Sequence, residues 1–161
     1  MKNELTGSIK VLLEEYKKAI DELIIVIQPL SSSEIMIVRD DKTTNPDCRS
    51  VQSILSHVIH SGYAYTNYIE NHIGRRKERY PKQYFENAVG YIEQLNRMFE
   101  YCEVFFAENP SIQLEETDHS KKIITNWGQR YDIDQLLEHA IVHVLKHRRQ
   151  IERFIASSPF I

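Results

Sequence analysis

Three histidines lie four residues apart in the segment HAIVHVLKHRRQI, namely His139, His143 and His147. Side chains four residues apart on an α-helix are offset by about 40° and about 6 Å along the axis, so neighbouring imidazoles of this run can reach a common point. Imidazole is a frequent ligand of divalent transition metals, and helical metal sites use His pairs with this spacing. The run therefore indicates a metal site on His139/His143 or on His143/His147.

The apolar side chains of the same segment favour the second pair. At about 100° per residue they define one helix face, and His147 lies about 55° from its centre, His143 about 95° and His139 about 135°. We therefore expect His143 and His147 at the rim of a buried face, and His139 pointing more towards water.

A third imidazole is needed because two rarely complete a site, whereas three with open positions is the catalytic pattern. The segment SILSHVIHSGY supplies His57 and His60, which project about 100° and about 160° from the apolar face of their own helix. His57 is the better candidate. His72 at a helix exit and His119 in an irregular segment lack the rigid support that a ligand needs.

The predicted metal ligands are thus His57, His143 and His147. Three neutral nitrogens leave an ion such as Zn²⁺ or Ni²⁺ its full double charge, which favours ionisation of a bound water or thiol near neutral pH. Gln150 lies on the angular side of His143 and is a candidate to orient a ligand. The competing interpretation is that these histidines are half-exposed polar or hydrogen-bonded structural residues of a helix margin.

Four amphipathic helices must position these residues, and their one-sided apolar stripes have to be buried against each other. The pattern predicts an all-α four-helix bundle, forming a single domain over residues 1–161, with long connections before helices 2 and 4. A capping box at Asp132 and Gln135 marks the last helix, and a short extended piece or hairpin is expected around Trp127. The helices run from Leu5 to the stop at Pro29, from the cap at Ser50 to about Gly74, from near Pro81 to before Asn109, and from Asp132 to about Ala156.

Composition limits the class of protein. The 161 residues are 42% hydrophobic and 27% charged, as in ordinary globular proteins. A net charge of −3 argues against a nucleic-acid partner, which calls for a basic stripe. The longest aliphatic run, Leu23 to Ile27, is too short for a membrane span, and no secretory signal is visible. With only two cysteines, in no metal or redox spacing, a cytoplasmic protein is expected.

The chain resembles the DinB/YfiT-like superfamily of small four-helix proteins over essentially its whole length. The resemblance is carried by RSVQSILSHVIHSGYAYTNYI, NWGQRYDIDQLLEHAIVH and HVLKHRRQIERFI. It implies that His57, His143 and His147 bind a divalent metal. Arg49 departs from the family pattern, because many members carry an aromatic residue there, and this leaves the shape of the pocket open.

The resemblance also implies a range of activities, since some relatives transfer low-molecular-weight thiols such as bacillithiol or mycothiol. We therefore expect a metal-dependent thiol transferase or hydrolase acting on a small electrophile, with a low-molecular-weight thiol as the co-substrate of the transfer reaction. The alternative is a non-enzymatic metal-binding or structural bundle. Relatives are often dimers, so a homodimer is a further expectation, whereas nucleic acid and membrane are not expected partners.

Overall fold

The computed structural model describes residues 7–157, in which four long helices form the expected bundle. A short helix lies in the first connection and a two-stranded hairpin in the last. In chain order the elements are α1 (Gly7–Ile27), α2 (Ser32–Met36), α3 (Val51–His72), α4 (Ala88–Glu108), β1 (Ile123–Ile124), β2 (Arg130–Tyr131) and α5 (Ile133–Ala156). The all-α prediction and the hairpin near Trp127 are confirmed, whereas α2 was not predicted. Leu5, the first apolar position of the predicted first helix, lies outside the described residues.

Side-chain caps set the starts of the two helices that carry the histidines. The Ser50 hydroxyl accepts from the Ser53 amide at the start of α3. Asp132 and Gln135 form the predicted capping box of α5, in which the Asp132 carboxylate accepts from the Gln135 amide at 2.8 Å. These bonds satisfy amides that have no partner within the helix, so the helix starts are fixed by local sequence.

The predicted start of the third helix was wrong. Pro81 suits a first helical turn, but it lies in an irregular segment, residues 73–87, and α4 begins at Ala88 after the Asn87 cap. Phe85, placed on the helix by its apolar spacing, instead packs edge-on against Tyr91 ahead of the helix. An apolar residue that folds back onto the first turn imitates helical periodicity, which explains the error.

Contacts between α3 and α4 show that these consecutive helices are parallel. Ser56 meets Tyr91 and Asn67 meets Tyr101, so the sequence offset between contacting residues stays nearly constant along the pair. Parallel neighbours need a connection that returns the length of the bundle, and residues 73–87 supply it. This crossover segment therefore gives α3 and α4 the same direction, although long connections were predicted only before helices 2 and 4.

The helices α3 and α5 are antiparallel. His57 near the start of α3 contacts His143, and Tyr65 two turns later contacts His139, so one helix ascends as the other descends. On the side of α5 that packs against α1, Arg148 pairs with Glu22 of α1 and with Glu152. These ion pairs give Arg148 a structural role in joining α5 to α1.

The core lies between the four long helices. Among the largest fully buried side chains are Leu23 of α1, Leu55 and Ile69 of α3, Tyr91, Leu95 and Phe106 of α4, and Leu136 of α5.

None of the helices in residues 7–157 combines the length and apolarity that crossing a bilayer demands.

Gly62 provides a test of the α3–α4 packing. A Cβ built at this position would stand 2.0 Å from Met98 Sδ, and Met98 is itself buried. We expect Gly62→Ala to lower the free energy of unfolding by about 1–3 kcal/mol despite the better helix propensity of alanine, because the core would be overpacked. Combining it with Met98→Ala should cost at least about 0.5 kcal/mol less than the sum of the single changes. Urea denaturation of the four proteins measures this coupling, and strict additivity would contradict the close packing.

Candidate metal site

The three predicted histidines converge. His57 comes from α3 and His143 and His147 from α5, and one ring nitrogen of each lies within 4.8 Å of the others. The Nε2 atoms of His57 and His143 are 3.0 Å apart. The ring centroid of His147 lies 5.0 Å from that of His57 and 4.5 Å from that of His143. The structure therefore brings one imidazole from α3 and two from α5 to a single point.

The spacing fits a divalent cation. Imidazole nitrogens lie about 2.0–2.1 Å from Zn²⁺, so two of them at a tetrahedral angle stand roughly 3.3 Å apart. The 3.0 Å separation of two Nε2 atoms and the 4.8 Å limit on the whole group bracket this value. A divalent ion could be held by all three rings after small side-chain rotations.

Burial agrees with the helical projection for His57, His143 and His147 and departs from it for His139. His147 is 3% exposed, His143 and His57 are half-buried, and His139, which was expected to point more towards water, is also half-buried. The departure of His139 from expectation comes from the hairpin, which covers that part of α5 and which the projection of a lone helix does not include.

Gln150 orients His147. Its Oε1 lies 3.0 Å from His147 Nδ1, one turn further along α5. An amide oxygen only accepts hydrogen bonds, so Nδ1 carries the proton and Nε2 keeps a free lone pair. Gln150 was singled out in the sequence as a residue that could orient a ligand, although its partner is His147 and not the neighbouring His143.

Asp47 stands behind His57, and its position could not be read from the sequence. Its Oδ2 lies 3.4 Å from His57 Nδ1, while its Oδ1 pairs with Lys82 of the crossover segment. Asp47 and Lys82 both lie in connections between the long helices, where no apolar periodicity predicts which way a side chain points. The one local signal is Asn45, whose side chain caps the short turn that carries Asp47.

An aromatic wall extends from the three histidines to the hairpin. It consists of Tyr65, Trp127, Tyr131 and His139. Trp127 stacks on His139 with centroids 5.2 Å apart, and Tyr65 presents its edge to His143 at 5.7 Å. The Tyr131 hydroxyl lies 3.4 Å from His139 Nδ1. His139 thus belongs to the wall of the site and stays outside the converging group.

Comparison with known families agrees with this geometry. The model of the DinB family matches residues 1–155. The chain belongs to the DinB family. No curated protein matches it.

The remaining histidines of this DinB chain lie outside the group. His60 is half-buried on α3, and His72 and His119 are exposed. Ferritin-like di-metal bundles use a Glu-x-x-His spacing on core helices, whereas Glu116 and His119, which have this spacing, lie in the connection between α4 and β1.

Burial keeps the converging imidazoles neutral. Together with the neighbouring imidazoles, whose contribution is smaller, burial lowers the pKa of His57 to about 4 and that of His143 to about 2. Burial also lowers the pKa of His147. Neutral imidazole is the form that binds a metal, so in this DinB chain the three rings are ready to do so at neutral pH without losing a proton.

The lowered pKa values make stability depend on pH. Above pH about 6.5 both the folded and the unfolded chain carry neutral His57, but between pH about 6.5 and about 4 only the unfolded chain binds the proton. We expect the free energy of unfolding of metal-free protein to fall across this window, with His57 alone contributing on the order of 1–3 kcal/mol.

Urea denaturation from pH about 7 to about 4.5, with a chelator present, measures this loss. His57→Gln should flatten the dependence, whereas His119→Gln, at an exposed position, should leave it unchanged. Equal slopes for wild type and His57→Gln would contradict the account of a buried, neutral imidazole.

Proposed function

We propose that this DinB family protein is a divalent-metal-dependent enzyme whose metal ligands are His57, His143 and His147. The observation that carries the proposal is the convergence of one nitrogen from each ring within 4.8 Å. Two of the three imidazoles also have a partner at the opposite ring nitrogen, Gln150 for His147 and Asp47 for His57. Ring nitrogens held in this way are typical of protein metal ligands.

The number of ligands favours catalysis over a structural role. Structural zinc sites are usually closed by four protein ligands, whereas catalytic sites keep a position for water or substrate. Within residues 7–157 the group holds three histidines and no Cys, Asp or Glu as a fourth member. Positions for small molecules would therefore remain.

The chemistry divides between the ion and the chain. A bound divalent cation lowers the pKa of a coordinated water or thiol towards neutrality. The imidazoles would hold the ion without reducing its charge, while Gln150 beside His147 and Asp47 beside His57 orient two of the rings. The aromatic wall provides apolar surface beside His143, which limits access of water from the hairpin side.

We propose small electrophiles as substrates, with thiol transfer as the first reaction and hydrolysis as the second. In transfer, the thiol sulfur bonds to the electrophilic carbon, the leaving group departs with its bonding electrons, and the thiol proton passes to solvent. The thiol as co-substrate follows from the resemblance to thiol-transferring relatives. Zn²⁺ and Ni²⁺ are the ions we propose, because both accept imidazole nitrogen.

A non-enzymatic metal-binding bundle is the second candidate. The half-buried Asp47 carboxylate near His57 is the observation that favours it, because a carboxylate that moved onto the ion would close the site.

Metal binding can be measured on protein purified without a polyhistidine tag. We expect about one equivalent of metal by element analysis, and an increase in melting temperature of roughly 5–10 °C at a hundredfold excess of Zn²⁺ over its Kd. His57→Ala and His147→Ala should lose both effects. His139→Ala is the matched control on the same helix and should retain them, because His139 lies in the wall. If His139→Ala abolished binding and His147→Ala did not, the ligand set would be wrong.

Activity can be measured with metal-loaded protein, a small halogenated or epoxide electrophile, and a panel of low-molecular-weight thiols. We expect product formation that stops when a chelator removes the metal and falls at least about 100-fold in His147→Ala, because the reacting group would no longer be activated. Mass analysis separates the thiol adduct from the hydrolysis product. Stoichiometric metal binding together with a rate that is independent of metal would favour the non-enzymatic candidate.

A further inference from the structure

We propose that Asp47 and Lys82 position His57 for metal binding, so that a connecting segment and the crossover segment together tune the affinity of the site. This inference rests on the function proposed above. Its starting point is geometric, since Asp47 Oδ2 lies 3.4 Å from His57 Nδ1 while Asp47 Oδ1 pairs with Lys82 Nζ.

Both oxygens of the Asp47 carboxylate are thus used, each on a different element. The residue sits in the short turn Pro46–Cys48, where the Asn45 side chain accepts from the Asp47 amide at 3.0 Å. The Asp47 and Lys82 side chains are 28% and 26% exposed, so water screens this pair less than a surface pair. Asp47 is therefore fixed at two points, its backbone amide by Asn45 and its Oδ1 by Lys82.

A carboxylate at Nδ1 determines what the other ring nitrogen can do. Neutral imidazole carries one proton, and the negative charge of Asp47, 3.4 Å from Nδ1, favours that proton on Nδ1. His57 Nε2 then presents its lone pair, and Nε2 is the atom that lies 3.0 Å from His143 Nε2. The negative charge also makes Nε2 a stronger ligand.

Lys82 keeps the carboxylate in this role. Without the ammonium group on Oδ1, Asp47 can rotate away from His57 or turn towards the ion itself. Lys82 is close to the middle of the crossover segment, which other contacts fix along α3, including the stacking of Tyr80 on Tyr63 at 4.1 Å and the bond from Gln52 to the Phe85 carbonyl at 3.0 Å. The segment that makes α3 and α4 parallel therefore also supports a metal ligand.

Four variants test the inference: Asp47→Asn, Lys82→Met, Lys82→Arg and the control Asp21→Asn. The control removes the carboxylate of another Lys–Asp pair, Lys17–Asp21, which lies on α1 with exposed side chains. Zn²⁺ affinity is measured by competition with a chromophoric chelator at a temperature well below unfolding, on folded, tag-free protein.

We expect Asp47→Asn to weaken Zn²⁺ binding roughly 10- to 100-fold, in the range typical of partners that orient a ligand. Lys82→Met should weaken binding by less, Lys82→Arg should restore the affinity to within about twofold of wild type, and Asp21→Asn should match wild type. Should Asp47→Asn fail to fold, the comparison of Lys82→Met with Lys82→Arg decides the question, because only the former removes the charge that holds Asp47.

Co²⁺ spectra separate positioning from direct ligation. The visible bands of the Co²⁺-loaded protein depend on the atoms bound to the ion, so Asp47→Asn should weaken binding but keep the band positions. Shifted bands would make Asp47 itself a ligand and overturn the inference. If wild type binds Zn²⁺ and both Asp47→Asn and Lys82→Met bind it with unchanged affinity, the inference about Asp47 and Lys82 is overturned and the proposed function stands. If wild type binds no Zn²⁺, the proposed function is overturned as well.

Discussion

The antiparallel register between α3 and α5 is the constraint on which the site depends. It places His57, in the second turn of α3, opposite the pair His143 and His147 on α5. A shift of one residue along either helix would rotate its imidazole by about 100° and move it off the common point. The same register brings Tyr65 against His139, so the aromatic wall and the histidine group are set by one packing interaction.

This arrangement has an energetic cost that an ordinary core would avoid. Burying a polar group without a partner costs about 1–3 kcal/mol, and here three imidazoles meet at the rim of the core. Gln150 satisfies one nitrogen of His147, and the two closest Nε2 atoms can share only one proton. A cation would satisfy all three rings at once, which is why we interpret the group as a binding site and not as a packing feature.

Much of this could be predicted from helical geometry. His143, His147 and His57 were selected because their projections put them near an apolar face, and the caps at Ser50 and Asp132 fixed where their helices start. The periodicity of a single helix carries this information, and the family resemblance supported the same residues.

What escaped prediction lies in the connections. The crossover segment was assigned in part to a helix that begins near Pro81, yet Phe85 precedes α4, and Val89 within α4 is 74% exposed. Asp47 and Lys82 meet only because two irregular segments pass the same end of α3. Such contacts are set by tertiary structure, and no local pattern in the sequence encodes them.

The central claim is that three imidazoles hold one ion at a common point. Anomalous diffraction from crystals of tag-free protein loaded with Zn²⁺ tests it most directly. The account predicts one strong peak about 2.0–2.1 Å from a ring nitrogen of each of His57, His143 and His147. A peak elsewhere, or an ion bound by only one of these rings, would contradict it.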